Sequence, residues 1–236
     1  METSIRYKIQ RLLARYINQY CLLCRQSSKA SVCDCCLNSI SRFKHAKFEY
    51  DLMHWAKIIN ALKPHQLPCL HAIGNYSYPL SSWVKQLKFE RRLIYSEVLA
   101  DLFVDTIIGR QQQLPQIMIP APLHYKRYLQ RQFNQARVLA QSIGSRLRVP
   151  VFEGAIFRQQ QTEAQSSLDR QQRLKNVCHA FKSQMLPAHI HHVAIVDDVI
   201  TTGATMQAMV SALQNTNPNL KIEVWCIAIS MSNENT

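Results

Sequence analysis

The sequence lacks long hydrophobic runs and has few acidic residues. No apolar stretch approaches the about 20 residues that a membrane-spanning helix needs. The N-terminal segment interleaves its apolar residues with lysine and arginine, which is unlike the continuous apolar core of a secretory signal. These absences argue against a membrane-spanning class and predict a cytoplasmic protein. With 236 residues, 47% of them hydrophobic and 18% charged, the chain can form one substantial α/β domain plus a small appendage.

The scarcity of acids leaves a strongly basic protein. Only 15 acidic residues oppose 28 lysines and arginines, so the net charge is +13. The excess is carried by residues 1–60 and 81–150, whereas residues 151–236 are nearly neutral. Such an imbalance favours a polyanionic partner, most often nucleic acid, although a solvated basic surface is the alternative. The predicted nucleic-acid contacts form one basic run: Lys85, Lys88, Arg91 and Arg92.

Aromatic residues near these basic segments are candidate stacking surfaces for the bases of a single strand. Each of them is individually better suited to a hydrophobic core than to stacking. The candidates are Phe43, Phe48, Trp83 and Phe89.

Four of the eight cysteines have the spacing of a metal site. Cys21-x-x-Cys24 and Cys33-x-x-Cys36 offer the four thiolates that structural Zn²⁺ prefers, and Cys35 is an alternative to Cys33 or Cys36. A segment this short cannot bury a core of its own, so the metal would have to fold it. We expect a basic N-terminal helix and a four-cysteine zinc module over residues 1–64, and a second domain over residues 65–236.

The segment His192–Thr205 carries the strongest signal in the chain. Its β-branched apolar residues predict a strand buried on both faces of a parallel sheet. Asp197 and Asp198 follow at the carboxyl end of that strand, where open α/β sheets bind ligands. A loop and the first residues of a helix come next, and the free N–H groups of the helix favour a phosphate: Thr201, Thr202, Gly203, Ala204 and Thr205. An ordinary turn whose acids cap the helix is the alternative.

The elements around this segment predict an α/β fold with a doubly wound parallel sheet. From about residue 115 onward, the pattern alternates between strands and helices. We expect strands near residues 117–122, 149–157, 192–196 and 223–230, and helices over residues 134–147 and from residue 204 to about residue 213.

The order of apolar strand, Asp-Asp and Thr-Thr-Gly-x-Thr resembles the phosphoribosyl pyrophosphate (PRPP) signature of type I phosphoribosyltransferases. With the four-cysteine module, the segments Pro120–Ala136 and Arg158–Phe181 resemble the ComF family, which is linked to natural competence and DNA utilisation in bacteria. The resemblance implies a type I phosphoribosyltransferase fold in which Asp197 and Asp198 lie by the ribose hydroxyls near Mg²⁺ and residues 201–205 hold the 5′-phosphate.

Further roles are implied by the same resemblance. Pyrophosphate would be bound by Lys126, Arg127 and Arg131, and a loop closing over PRPP would contain Arg158, Thr162, Gln165 and Arg173. Gln132 stands where the family usually has glycine. If that position requires a positive φ, glutamine is strained there.

These patterns lead to one main hypothesis, a ComF-like protein that binds Mg²⁺ and PRPP together with single-stranded DNA during DNA uptake. One alternative is an active phosphoribosyltransferase with an unidentified acceptor. Another is a zinc module that docks on helicase-like or membrane-channel components of the uptake apparatus.

Overall fold

A four-stranded parallel sheet lies at the centre of the protein. The computed structural model describes residues 20–107, 113–123, 129, 131–158 and 180–231. In chain order the strands are β1 (Leu70–Asn75), β2 (Ile117–Pro120), β3 (Ile156–Arg158), β4 (Phe181–Ser183), β5 (His192–Ile200) and β6 (Lys221–Ile229). The parallel sheet has the order β1-β6-β5-β2, and β3 and β4 form a separate antiparallel pair.

Helices cover both faces of the sheet, which confirms the predicted doubly wound α/β architecture. The helices are α1 (Asp34–Ser39), α2 (Ala56–Leu62), α3 (Leu80–Glu90), α4 (Ile94–Ile107), α5 (Gln135–Leu147) and α6 (Ala204–Thr216). Short 3₁₀ turns occupy His45–Phe48 and Leu52–His54. One core packs α2 and α6 against the sheet, and the other packs α3, α4 and α5 against it.

The position of β5 in the middle of the sheet explains why its sequence is continuously apolar. Val193 and Ile195 belong to the core on the α6 side, whereas Ala194 and Val196 belong to the core on the α3–α5 side. Side chains alternate between the two faces of a strand, and both faces of β5 are covered. The strand also pairs on both edges, with β2 and with β6.

The prediction of one continuous strand over residues 149–157 is wrong. Val151 alone forms a parallel bridge with Met118 at the edge of β2. The chain then turns at Glu153 and Gly154, where φ is +84°. It re-enters extended structure as β3, which pairs with β4 rather than with the parallel sheet. The apolar residues of this segment therefore serve two different neighbours, and their spacing does not distinguish this from one strand.

The N-terminal segment contributes to both cores. Cys21, Val32 and Ile40 pack in the core of α3, α4 and α5. Leu52, Ile58 and Leu62 pack in the core of α6. Buried side chains on the two sides of residue 64 thus contact the same sheet. The basic helix expected before residue 20 lies outside the described residues, and none of the described helices is long and apolar enough to span a bilayer.

Candidate functional site

The two aspartates of the signature lie near the carboxyl end of β5. The Asp197 carboxylate accepts a hydrogen bond from the Asp198 backbone N–H (2.8 Å), and the Asp198 carboxylate accepts one from the Val199 N–H (2.7 Å). Asp198 is only 4% exposed. The strand continues to Ile200, which pairs with Ile229. These local bonds fix both carboxylates at the sheet edge where an α/β protein binds its ligand.

A lysine from another element neutralises part of this acidic pair. The Nζ atom of Lys88, near the end of α3, lies 2.8 Å from Oδ2 of Asp198. Burial and the negative charge of Asp198 together raise the pKa of Asp197 to about 7, although the Asp198 backbone N–H and Lys88 oppose the shift. The pair can therefore hold a proton near neutral pH, and it suits a ligand that brings hydroxyl groups or positive charge.

The loop after β5 has the form expected of a phosphate cradle. Gly203 precedes α6 with φ of +79°, a conformation that glycine adopts without steric cost. Thr201, Thr202 and Thr205 are exposed around it, and Ala204 begins the helix. The first N–H groups of a helix and its dipole favour an anion at this end.

A segment that the sequence prediction did not include packs behind this loop. A Cβ added to Gly203 would lie 3.5 Å from the side chains of His65 and Leu62. The Gln66 backbone N–H donates to the side chain of Gln207 in α6 (3.1 Å). The cradle is thus supported by the chain just after α2, and no local sequence pattern indicates this contact.

The second predicted segment adjoins the end of α3. Asn134 caps α5 through its side-chain oxygen, which accepts from the Ala136 N–H, and its amide donates to the Ala121 carbonyl (2.9 Å). Arg131 lies over the ring of Phe89, with its Cζ atom 5.2 Å from the ring centroid. Gln132 has φ of +59°, so a residue with a Cβ adopts the left-handed conformation at this position.

Several predicted residues lie outside the described part of the chain: Lys126, Arg127, Thr162, Gln165 and Arg173. Arg158 is described, and it lies in β3 with its guanidinium 5.3 Å from the centroid of the Phe181 ring. This places one end of the predicted closing loop on the β3–β4 pair.

The predicted nucleic-acid contacts divide into two groups. Lys85, Arg91 and Arg92 are exposed, whereas Lys88 is directed to Asp198. Arg91 donates to the side chain of Gln132 (3.0 Å), and Arg92 donates to that of Gln86 (2.7 Å). The sequence placed Lys88 on a basic surface, but its ammonium contacts the acidic pair of the candidate PRPP site.

The four aromatic candidates also differ in accessibility. Phe43 and Phe48 pack on Trp55, with centroid distances of 5.4 and 5.0 Å, and Trp83 is 2% exposed. Phe89 alone among these four is largely exposed, at 67%.

The four predicted cysteines converge on one point. The sulfur atoms of Cys21, Cys24, Cys33 and Cys36 all lie within 4.8 Å of one another, and those of Cys24 and Cys33 are 3.8 Å apart. A tetrahedral Zn²⁺ with bonds of about 2.3 Å would separate its sulfur ligands by about 3.8 Å. Backbone N–H groups of Leu23 and Cys33 point at the Cys21 sulfur (3.4 Å each). The cluster fits a structural metal, and the exposed Cys35 is not part of it.

Comparison with known proteins agrees with the α/β fold of the sheet domain. The phosphoribosyl transferase domain family matches residues 134–234. Competence protein F of Haemophilus influenzae is 29% identical over 233 residues, which cover 92% of this chain and 99% of that protein. DNA utilization protein YhgH of Escherichia coli K12 is 32% identical over 169 residues, 70% of this chain and 74% of the relative. The protein of the same name from Shigella flexneri is 33% identical over the same length. These similarities, with the match to the phosphoribosyl transferase domain and the four-cysteine cluster of this chain, show that the chain belongs to the ComF family.

Proposed function

We propose that this protein binds PRPP with Mg²⁺ at the carboxyl edge of its parallel sheet and acts with single-stranded DNA in DNA uptake. One observation carries the proposal: an acidic pair, of which Asp198 is buried and Asp197 half-buried, is followed by a left-handed glycine and the N-terminus of α6. A site for a sugar phosphate needs carboxylates that accept hydrogen bonds from the ribose hydroxyls and a loop that binds the phosphate.

In this proposal, Asp197 and Asp198 accept hydrogen bonds from the ribose hydroxyls, and residues 201–205 hold the 5′-phosphate. Arg131, with Lys126 and Arg127, binds the pyrophosphate through charge-assisted hydrogen bonds. Arg158, Thr162, Gln165 and Arg173 belong to the loop that covers the ligand and excludes water.

Two metals belong to the proposal. Carboxylate oxygens are ligands that suit Mg²⁺, and Asp197 and Asp198 would hold it together with PRPP. When bound, Mg²⁺ offsets the charge of the pyrophosphate. The four-cysteine cluster would hold Zn²⁺ in a structural role, because four thiolates leave no open coordination position.

The DNA part of the proposal rests on relatives and on charge. The relatives are named for competence and for DNA utilization, and the net charge of this chain is +13. Exposed Lys85, Arg91 and Arg92 border the candidate site. Helicase-like or channel components of an uptake apparatus are further proposed partners, with the zinc module as the docking piece.

The decisive experiment is calorimetric titration of PRPP with Mg²⁺ into the full chain, repeated with single-stranded DNA present. We expect binding by the wild type and a loss of about 100-fold or more in the double variant Asp197→Asn, Asp198→Asn, because several charge-assisted bonds are lost. Asp105→Asn, at an exposed acid of α4, is the matched control. PRPP binding by the double variant with wild-type affinity would overturn the site assignment.

The same acidic pair and phosphate cradle also suit an active phosphoribosyltransferase. That alternative requires release of pyrophosphate when an acceptor is added. Pyrophosphate release that depends on Asp197 and Asp198 would favour turnover. PRPP binding without release would favour a ligand-responsive protein.

A further inference from the structure

An exposed aromatic ring lies beside the candidate PRPP site, at the carboxyl end of α3. We propose that Phe89 is a stacking platform for an unpaired base of single-stranded DNA, flanked by the cations that neutralise the DNA backbone. The inference deepens the proposed function and rests on it, because it names the surface of this site that receives the DNA.

Packing in the hydrophobic core does not explain the aromatic ring of Phe89, which belongs to neither core. It is 67% exposed, whereas Trp83, Val84 and Leu87 of the same helix are buried. A large apolar side chain in water contributes little to folding, and its flat face is what a nucleobase needs. Phe43, Phe48 and Trp83 are engaged in packing.

Arg131 supports a stacking role for this ring. Its guanidinium lies over Phe89, 5.2 Å from the ring centroid. Phe89 nevertheless remains 67% exposed. An arginine on an aromatic ring extends the planar surface and adds a phosphate ligand. A base on Phe89 would therefore meet both a ring and a cation.

Charge complementarity selects a polyanion as the occupant. Exposed Lys85, Arg91 and Arg92 surround Phe89 along the chain, with Glu90 as the single acid of this run. Cations beside an exposed aromatic ring are the elements of a single-strand groove, in which phosphates are neutralised while bases stack. A double helix keeps its bases stacked internally, so it would meet the cations but not the ring.

The platform is joined to the PRPP site on two sides. Lys88, the residue before Phe89, contacts Asp198, and Arg91 hydrogen-bonds Gln132, the residue after Arg131. The helix end that carries Phe89 thus contacts the acidic pair through Lys88, and in this proposal a base on Phe89 would share Arg131 with the pyrophosphate. DNA and PRPP would therefore alter each other's affinity by the same factor.

The experiment measures two ligands separately on the full chain. Binding of a fluorescent oligothymidylate of about 16 nucleotides is compared for wild type, Phe89→Leu and Phe89→Trp, and PRPP binding is measured in parallel. Phe157→Leu, the same substitution at a 44% exposed phenylalanine of β3, is the matched control. Duplex DNA and adenosine monophosphate serve as competing ligands.

We expect Phe89→Leu to weaken oligothymidylate binding about tenfold and to leave its folding and that of the control unchanged. Phe89→Trp should retain affinity, and the fluorescence of the new indole should be quenched by single-stranded DNA but not by duplex. Undiminished binding by Phe89→Leu would overturn the inference, as would quenching by adenosine monophosphate alone. Absence of PRPP binding in every protein would instead contradict the proposed function, because the DNA measurements do not require PRPP.

Discussion

Lys88 and Asp198 form an ion pair in which only 17% and 5% of the two side chains are exposed. The lysine belongs to α3 and the aspartate to β5, so the pair fixes a helix end against the acidic part of the candidate site. A buried charge without a partner is costly. Removal of either residue should therefore lower the stability of the protein as well as weaken ligand binding.

We expect Lys88→Met to destabilise the protein by about 2 kcal/mol, since it leaves a buried carboxylate without its cation. Asp198→Asn in the same chain should restore part of the loss, because the amide carries no charge that needs a partner. Urea unfolding of both single variants and the double variant measures the coupling. Lys85→Met, at an exposed position of the same helix, should leave stability unchanged. Strictly additive losses would show that the ion pair contributes nothing.

Local sequence patterns predicted β5, the cradle and α6 because their information lies within one short segment. A continuously buried apolar run, adjacent acids and a left-handed glycine follow one another from His192 to Ala204. The four cysteines of the cluster likewise lie within one short segment, residues 21–36. In both cases, the spacing of the residues nearly determines the geometry.

The contacts between distant segments could not be predicted in this way. Lys88 reaches Asp198 only because α3 packs on the sheet face toward which Asp198 points, and a basic run alone gives no sign of it. The same holds for the support of Gly203 by Leu62 and His65. The strand expected over residues 149–157 failed because partner choice, rather than apolar spacing, divides that segment between Met118 and β4.

The cysteine cluster predicts one Zn²⁺ per chain and metal-dependent folding of the segment around it. Cys24→Ser should lower the zinc content and the melting temperature together, because Cys21, Val32 and Ile40 share a core with α3 and α4. Elemental analysis and thermal unfolding provide the two measurements. Cys35→Ser is the matched control, since Cys35 is exposed and outside the cluster. A wild type without bound metal would contradict the prediction.

We expect the protein to lose stability in mild acid because His45 is buried in its neutral form. The ring is 3% exposed, and its Nε2 atom lies 2.7 Å from the Ala72 carbonyl oxygen, so Nε2–H donates. Burial, helped by the nearby His71, lowers the pKa of His45 from 6.5 to about 4, although the Ala72 hydrogen bond and Asp51 oppose the shift. As pH falls below 6.5, His45 becomes protonated in the unfolded chain but stays neutral in the folded protein. The free energy of unfolding therefore decreases until about pH 4, where the folded protein also binds the proton.

The loss attributable to His45 over this window is on the order of 3 kcal/mol. His45→Gln keeps a donor for the Ala72 carbonyl but cannot be protonated, so its stability should decline less between pH 6.5 and 4. Urea unfolding at several pH values compares the slopes. The exposed His54 provides the control His54→Gln, which should follow the wild type. Equal slopes for His45→Gln and the wild type would refute the assignment.

Gln132 should be a position at which glycine is better tolerated than alanine. Its φ of +59° is left-handed, and a Cβ in that conformation costs about 1 kcal/mol or more. Gln132→Ala and Gln132→Gly both lose the hydrogen bond from Arg91, so the difference between them isolates the backbone strain. We expect Gln132→Gly to be the more stable of the two by about 1 kcal/mol.

Gln141, inside α5, is the matched control because its backbone is helical. There, alanine should be more stable than glycine by about 1 kcal/mol, which is the opposite order. Urea unfolding of the four variants tests both signs. If alanine equals or exceeds glycine at position 132, the left-handed conformation is not strained.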